Sequence, residues 1–441
     1  MTQQVSSQSM RTFLIIWIGQ FVSLIGSGLT GFALGVWIFL KTGSATQFAL
    51  IALSAAVPGI LASPFAGALV DRWDRRWVMI LSDCGAGFCT LAIATLLYTQ
   101  RLAVWHIYPA VGLTSIFSTF QWPAYVAATT LLVPKRHLTR ASGMVQTGQA
   151  VSQILSPIIA GVLIVTIDIW GVLLIDFATF LFAVTTLLLT RIPSPVVTSE
   201  GEKARGSLLQ EAAFGWKYIR ARVGLLALLL FFAGANFSFA FFTVLFTPMV
   251  LSFASPAVLG SVESVGGVGM LLGGLALSTW GGPKKRVYGV VGFGFVLGAA
   301  VIMTGLRADP VLIAAANFVG FFTLPIINGC SQAIWQVKTP PDVQGRVFSV
   351  RTMIAWSTTP LSYVLAGPLA DQVFEPMMAP DGMLAASVGH IIGTGPGRGI
   401  GLMFIILGAV MIVVSFVSIL YSRLRQVEEE LPDMVEEEIV T

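Results

Sequence analysis

The chain has 441 residues, of which 56% are hydrophobic and only 10% charged, far from the roughly 25% charged residues of a soluble domain. That composition excludes an ordinary soluble enzyme or nucleic-acid-binding domain and indicates a polytopic membrane protein, so the net charge of +4 bears on topology rather than on an anionic partner. Cys84, Cys89 and Cys330 all fall inside apolar runs, which excludes a disulfide framework and a thiolate metal site.

The segment Met1 to Met10 carries no positive charge and is followed by an apolar run from Thr12 to Leu40, about twice the length of a signal-peptide core. It is read as a retained first helix. Apolar runs then give twelve predicted spans, near 13-40, 48-70, 77-99, 105-127, 141-166, 171-190, 223-248, 256-280, 287-306, 311-336, 352-370 and 400-421. Each approaches or exceeds the ~20 helical residues needed to cross a hydrocarbon core. With both termini in the cytoplasm, the outer side keeps only Lys41, Arg101, Arg307 and Arg398, and every other Lys and Arg lies inside. This bias predicts a bacterial inner-membrane protein with both ends cytoplasmic.

The second and third spans enclose a charged knot, Gly67 to Arg76, too short to do more than clasp neighbouring helix ends. Its pattern is Gly67, three residues, Asp71, Arg72, two residues, then Arg75 and Arg76. This resembles the loop signature of the major facilitator superfamily. Asp74 stands where the commonest form has glycine, a version similar to that of the branch containing macrolide exporters and the enterobactin exporter. The resemblance covers nearly the whole chain. It implies an all-α membrane fold of twelve helices in two pseudo-symmetric halves of six, and a loop that gates alternating access. Asp71 would then accept from the amino end of the eleventh helix near Arg346.

The organisation read from the sequence is a first half at 1-190, a cytoplasmic linker at 191-222, a second half at 223-421 and an acidic tail at 422-441. Within the linker, Glu211 to Arg222 sets Phe214, Trp216 and Tyr218 against charges, as an amphipathic helix at the membrane interface would. The tail from Glu428 to Glu438 reads as disordered. Loop features of the halves repeat at an offset of about 207 residues, Pro134 to Arg140 matching Pro341 to Arg346, as duplicated halves around a central site would.

Because every Lys and Arg reads as a loop residue, the intramembrane charges are Asp83, Asp176 and Glu263, each a functional candidate by default. Glu263 is the favoured proton site, because Gly266, Gly267 and Gly269 follow it and leave room for a water-accessible groove; Asp83 is next. For Asp83 and Asp176 the alternative is a hydrogen bond to a neighbouring helix. Candidate cavity residues are Gln146, Gln149 and Gln153 on one face of the fifth helix, and Asn328 and Gln332, followed by Gln336, on the tenth. Asn236, Phe237 and Phe241 on the seventh helix and Gln20 on the first complete a mostly apolar wall with few polar points. The alternative is interhelical bonding, worth about 0.6 kcal/mol per contact. Gly31 and Gly35, Gly269 and Gly273, and Gly294 and Gly298 have the spacing of close helix contacts. The exporter motif of the fifth helix appears in degenerate form as Ser156-Pro157-Ile158-Ile159-Ala160-Gly161.

The resemblance implies a secondary transporter that exports a bulky amphipathic small molecule such as a macrolide-like drug, a siderophore or another natural product. The expectations are no cofactor, a proton gradient as energy source, and a monomer in the bilayer. No G-x-x-x-x-G-K-[ST] phosphate loop is found. Two alternatives remain open at this point. One is a lipid or lysolipid translocator of the same fold. The other is a membrane-embedded phosphotransferase-type enzyme with Asp71 and Asp74 on a metal, which the three adjacent arginines and the lack of further acidic ligands disfavour.

Overall fold

A computed structural model describes residues 10–70, 73–133, 138–192, 215–339 and 344–430, and among these every regular element is helical. In lipid, the backbone polar groups of an apolar run can be satisfied only within the segment, which a helix achieves. The first helices are α1 (Met10–Thr42), α2 (Ala45–Val70), α3 (Arg75–Tyr98) and α4 (Val104–Leu132). The stretch Leu138–Leu189 is broken at Asp168, whose φ of 60° and ψ of 170° leave the helical region. It therefore forms α5 (138–167) and α6 (169–189). Asp168 Oδ1 accepts from the Ile169 amide at 2.7 Å and so starts α6.

The chain continues with α7 (Val223–Leu251), α8 (Pro256–Trp280), α9 (Arg286–Leu306), α10 (Pro310–Val337), α11 (Gln344–Trp356) and α12 (Thr359–Leu369), and ends in α13 (Arg398–Leu420). Nine described stretches are long and apolar enough to cross a membrane. One of them, Thr147–Leu189, takes in most of α5 and all of α6. With α4 and the α11–α12 segment, the count of twelve is consistent with the expected fold. Helix starts carry local signals: Asp74 Oδ1 accepts from Arg76 N at 2.8 Å, and Asp309 Oδ1 from Leu312 N at 2.9 Å ahead of Pro310.

Two compact units form. The first comprises Met1–Val197 with Ala254–Ser264; the second comprises Thr198–Phe253 with Val265–Thr441. In the first unit α1 packs along α5 and α6, α2 along α4, and α3 against α4 and α6. Small residues set the approach. Ser152 and Ser156 donate to the Leu24 and Ile25 carbonyls at 3.2 Å, and a Cβ on Gly28 would lie 2.4 Å from Ser156 Oγ. The degenerate motif of α5 meets the first turns of α8 backbone to backbone, since a Cβ on Gly161 would fall 2.8 Å from the Pro256 carbonyl oxygen.

In the second unit Gly294, Gly298 and Gly305 of α9 pack against α13, and Gly266, Gly269 and Gly273 of α8 against α10. Of the glycines after Glu263, Gly266 and Gly269 therefore close a helix contact instead of opening a groove. A Cβ on Gly31 would meet nothing within 4 Å, so of its pair only Gly35, against Phe48, is a close contact.

Two further expectations are corrected. Residues 428–430 are helical and docked: Glu428 Oε2 accepts from Val287 N at 2.9 Å at the start of α9, and Lys285 pairs with Glu429 at 2.7 Å. The reason is that the amino end of α9 offers unpaired amides to a carboxylate. The basic residues are also not confined to loops. Arg351 lies within α11, and Arg398, 4% exposed, is the first residue of α13. In the linker, Tyr218 Oη donates to the Lys338 carbonyl at 2.9 Å with the Arg222 guanidinium 3.5 Å over its ring, Ile219 is buried and Trp216 exposed.

Candidate functional site

The first unit holds a cavity of about 210 Å³ framed by α1, α3, α4, α5 and α6. Its wall is aromatic, with Trp17, Phe21, Trp122, Tyr125 and Phe180, interrupted by the amides of Gln20, Gln121 and Gln149 and by a few hydroxyls. Trp17 and Phe21 stack with ring centroids 5.4 Å apart and planes within 2° of parallel, a flat apolar face one helical turn long. Such a surface, apolar with sparse polar points, suits an amphipathic ligand.

Behind two of the amides lies Asp83, fully buried about two turns into α3. Gln20 Nε2 donates to Asp83 Oδ2 at 2.9 Å, and Gln121 Nε2 donates both to Asp83 Oδ1 and, at 2.8 Å, to Gln20 Oε1. The three side chains thus close a ring across α1, α3 and α4. Asp83 does not line the cavity; Gln20 and Gln121 do. Helix geometry favours the arrangement, because α3 presents Asp83 and Ala86 on its inward side while α4 presents Gln121 and Tyr125 four residues apart. Gln121 was missed by sequence reasoning. Its signal was a lone amide in the apolar run of the fourth span, beside Trp122-Pro123.

Asp176, on α6 and 1% exposed, accepts on Oδ2 from Thr30 Oγ1 at 2.7 Å and Thr90 Oγ1 at 3.1 Å. Its Oδ1 has no partner and faces Gly26, where a Cβ would lie 2.8 Å away. This second carboxyl also ties three helices, α1, α3 and α6, away from the cavity wall. Glu263 is half-buried on α8.

The other sequence candidates separate. Gln149 lines the cavity, whereas Gln153 is exposed and does not; Gln146 lies in α5, with its side chain outside the described set. In the second unit Asn236 and Asn328 line a smaller cavity of about 50 Å³ with Phe231, Phe232 and Phe239. Asn236 Nδ2 donates to the Ala355 carbonyl at 2.9 Å, and Asn328 Nδ2 to the Leu324 carbonyl of its own helix at 3.0 Å. Phe237 and Phe241 pack on each other at 5.1 Å and line neither cavity. Gln332 Oε1 accepts from Arg351 Nη1 at 2.7 Å, with Ser331 Oγ bound to Nη2 at 3.2 Å, so it anchors the arginine that sequence reasoning placed in a loop.

Of the charged knot, Gly67 lies in α2 near its end, while Asp71 and Arg72 fall outside the described residues. Arg76 Nε and Nη2 each donate at 2.8 Å to the Leu187 and Leu188 carbonyls at the end of α6, and Arg75 Nη1 donates to the Ala127 carbonyl of α4 at 3.3 Å. A cation at a helix carboxyl end meets unpaired carbonyls and the negative pole of the dipole. Arg346 lies in α11, its side chain not described. Among the described residues no cluster of His, Cys, Asp and Glu is suited to a metal.

Residues 16–361 match the family model of the Major Facilitator Superfamily. Macrolide efflux protein A of Streptococcus pyogenes is 29% identical over 368 residues, spanning 82% of this chain and 90% of that protein. The enterobactin exporter EntS of Salmonella typhi is 28% identical over 187 residues, 42% of this chain and 44% of that one. In fold, the chain is similar to a bacterial homolog of the human lysosomal transporter Spinster, with a TM-score of 0.69 at 14% identity, covering 95% of this chain and 98% of that one. The helical architecture, the arginines at the start of α3 bound to carbonyls of α4 and α6, the amphipathic cavity and the family match agree, and this chain is a multi-pass membrane transporter of the major facilitator superfamily, not an enzyme.

Proposed function

We propose that the chain exports a bulky amphipathic small molecule by alternating access, with protons moving inward as the energy source. The observation that carries this reading is the cavity of the first unit, aromatic in its walls and amide-studded, with a fully buried carboxyl behind it. The similarity to Macrolide efflux protein A over most of both chains supports a cargo of macrolide-like size and chemistry. A proton crossing ~100 mV supplies about 2.3 kcal/mol, enough for an approximately fifty-fold gradient of a neutral cargo, and a cationic cargo exchanged one for one is driven by the pH difference alone, so no bound cofactor is called for. The location is a bacterial inner membrane with both termini cytoplasmic, which the distribution of Lys and Arg supports, and the functional unit is a monomer.

The test is transport by purified protein in proteoliposomes. Under an imposed pH gradient, a radiolabelled macrolide accumulates on the acidic side and a protonophore collapses the accumulation. Gradient-independent movement of fluorescent lipid, with no movement of macrolide or siderophore, would instead assign a lipid translocator.

A further inference from the structure

We propose that Gln121 and Gln20 relay the charge of Asp83 to the cargo, so that one proton and the hydrogen-bond donor of an amphipathic amine compete for the same ring of side chains. The inference rests on the proton-coupled reading above and adds where the proton binds and how the cavity registers it.

The geometry restricts what the ring can do. Both oxygens of Asp83 are occupied by amide donors, one from Gln20 and one from Gln121, and the second N–H of Gln121 is held by Gln20 Oε1. With Asp83 ionised every contact pairs a donor with an acceptor, and the carbonyl oxygen of Gln121 is left for the cavity that this residue lines. A proton on Asp83 Oδ1 makes that atom a donor facing a donor. Turning the amide over would set its oxygen against Gln20 Oε1, so Gln121 instead swings away from Asp83, keeping one N–H on Gln20 Oε1 and bringing the other to the cavity. The cavity then changes from an acceptor backed by a negative charge to a donor backed by none. A protonated amine on the cargo suits the first state and is rejected by the second. When cargo binds, its N–H takes the Gln121 carbonyl, the amide N–H returns to Asp83 and the proton of Asp83 passes to solvent by the path the displaced Gln121 had opened; when the proton returns, the cargo leaves.

Among the described residues the side chains that act on Asp83 are Gln20 and Gln121, with Cys84 next in the chain; Tyr125 and Phe180 stand on the cavity wall in front of the ring. Among the described residues Asp83 therefore has no fixed counter-ion that would hold it permanently ionised. Asp176 is bound by hydroxyls, which rotate and present either a donor or an acceptor, so its proton would not be registered by the cavity.

The experiment measures protons released per cargo bound, using a pH dye with purified protein in weak buffer and a macrolide bearing a tertiary amine as probe. The wild type releases a proton on binding, Asp83→Asn binds without release, and Gln121→Met binds more weakly with fewer protons released per bound macrolide. A merely structural Gln121 would lower binding and release together and leave their ratio unchanged, which overturns the relay. Release persisting in Asp83→Asn also overturns it while leaving proton-coupled export standing; binding without release in the wild type removes proton coupling itself.

A second measurement needs no cargo. Infrared difference spectra between acidic and alkaline buffer show a carboxyl band lost in Asp83→Asn, together with a glutamine amide band diminished in Gln121→Met. A carboxyl band with no amide partner overturns the proposal even if the macrolide fails to bind.

Discussion

Gly273 and Gly274 are neighbours on α8 with opposite surroundings, and the substitutions Gly273→Ala and Gly274→Ala should therefore differ in sign. A Cβ on Gly273 would sit 2.1 Å from the Phe322 carbonyl oxygen and 2.9 Å from its carbon, both backbone atoms of α10, whereas nothing lies within 4 Å of a Cβ on Gly274. A backbone cannot turn aside, so α8 and α10 must separate by on the order of 1 Å to restore ordinary contact. Both variants gain the helical preference of alanine over glycine, about 1 kcal/mol, and that gain cancels in their difference. What remains is the overpacking term, about 1–3 kcal/mol. The assay is the fraction of purified protein that stays monodisperse after graded heating. Gly274→Ala should equal or exceed the wild type and Gly273→Ala should fall below Gly274→Ala by that margin. Equal midpoints for the two variants would mean that α8 does not lie this close to α10.

Gln149→Ala should change which compounds are exported, raising the apparent KM several-fold for some and not others, because Gln149 lines the aromatic cavity; uniform loss in proportion to thermal stability would make it a packing residue. Glu263→Gln should keep uphill export, since Gly266 and Gly269 beside it are taken up by α10; loss of uphill export with exchange of labelled cargo preserved would return the proton site to α8. Asp71→Asn should cut transport while leaving insertion intact, and unchanged exposure of engineered cysteines facing the cytoplasm would count against a latch. Glu375 accepts from Gly397 N at 3.0 Å and Ile400 N at 2.9 Å. Glu375→Ala should thus lower stability by ~1–2 kcal/mol through the start of α13, and an unchanged melting midpoint would refute that cap. The Lys285 ammonium holds the Glu429 carboxyl below its ordinary range. A depressed acid stabilises the docked tail above its unfolded value and loses that effect as pH falls through the folded one, so proteolytic protection of the tail should persist at neutral pH and fail only below the ordinary carboxylate range.

The spans, their number and the family signature were legible in the amino-acid sequence because a lipid core permits only segments that satisfy their own backbone, which makes hydropathy a nearly local code. The charged loop was legible for the same reason, since basic residues cannot be hidden at that depth at random. The identity of the candidate site was not local. Asp83 was legible as one of three intramembrane carboxylates, ranked behind Glu263, but its partners are separated from it by 63 and 38 residues, and no periodicity within α1 or α4 says that Gln20 and Gln121 meet. Glycine spacing could not distinguish Gly31, which faces open space, from Gly273, which touches a backbone. Nor could residue type alone tell that Arg351 has Gln332 and Ser331 to bind, or that Glu428 has the open end of α9. Each helix is determined by its own residues; which polar atoms it brings to a neighbour depends on the rotation and height at which two helices pack, and only the tertiary structure fixes those.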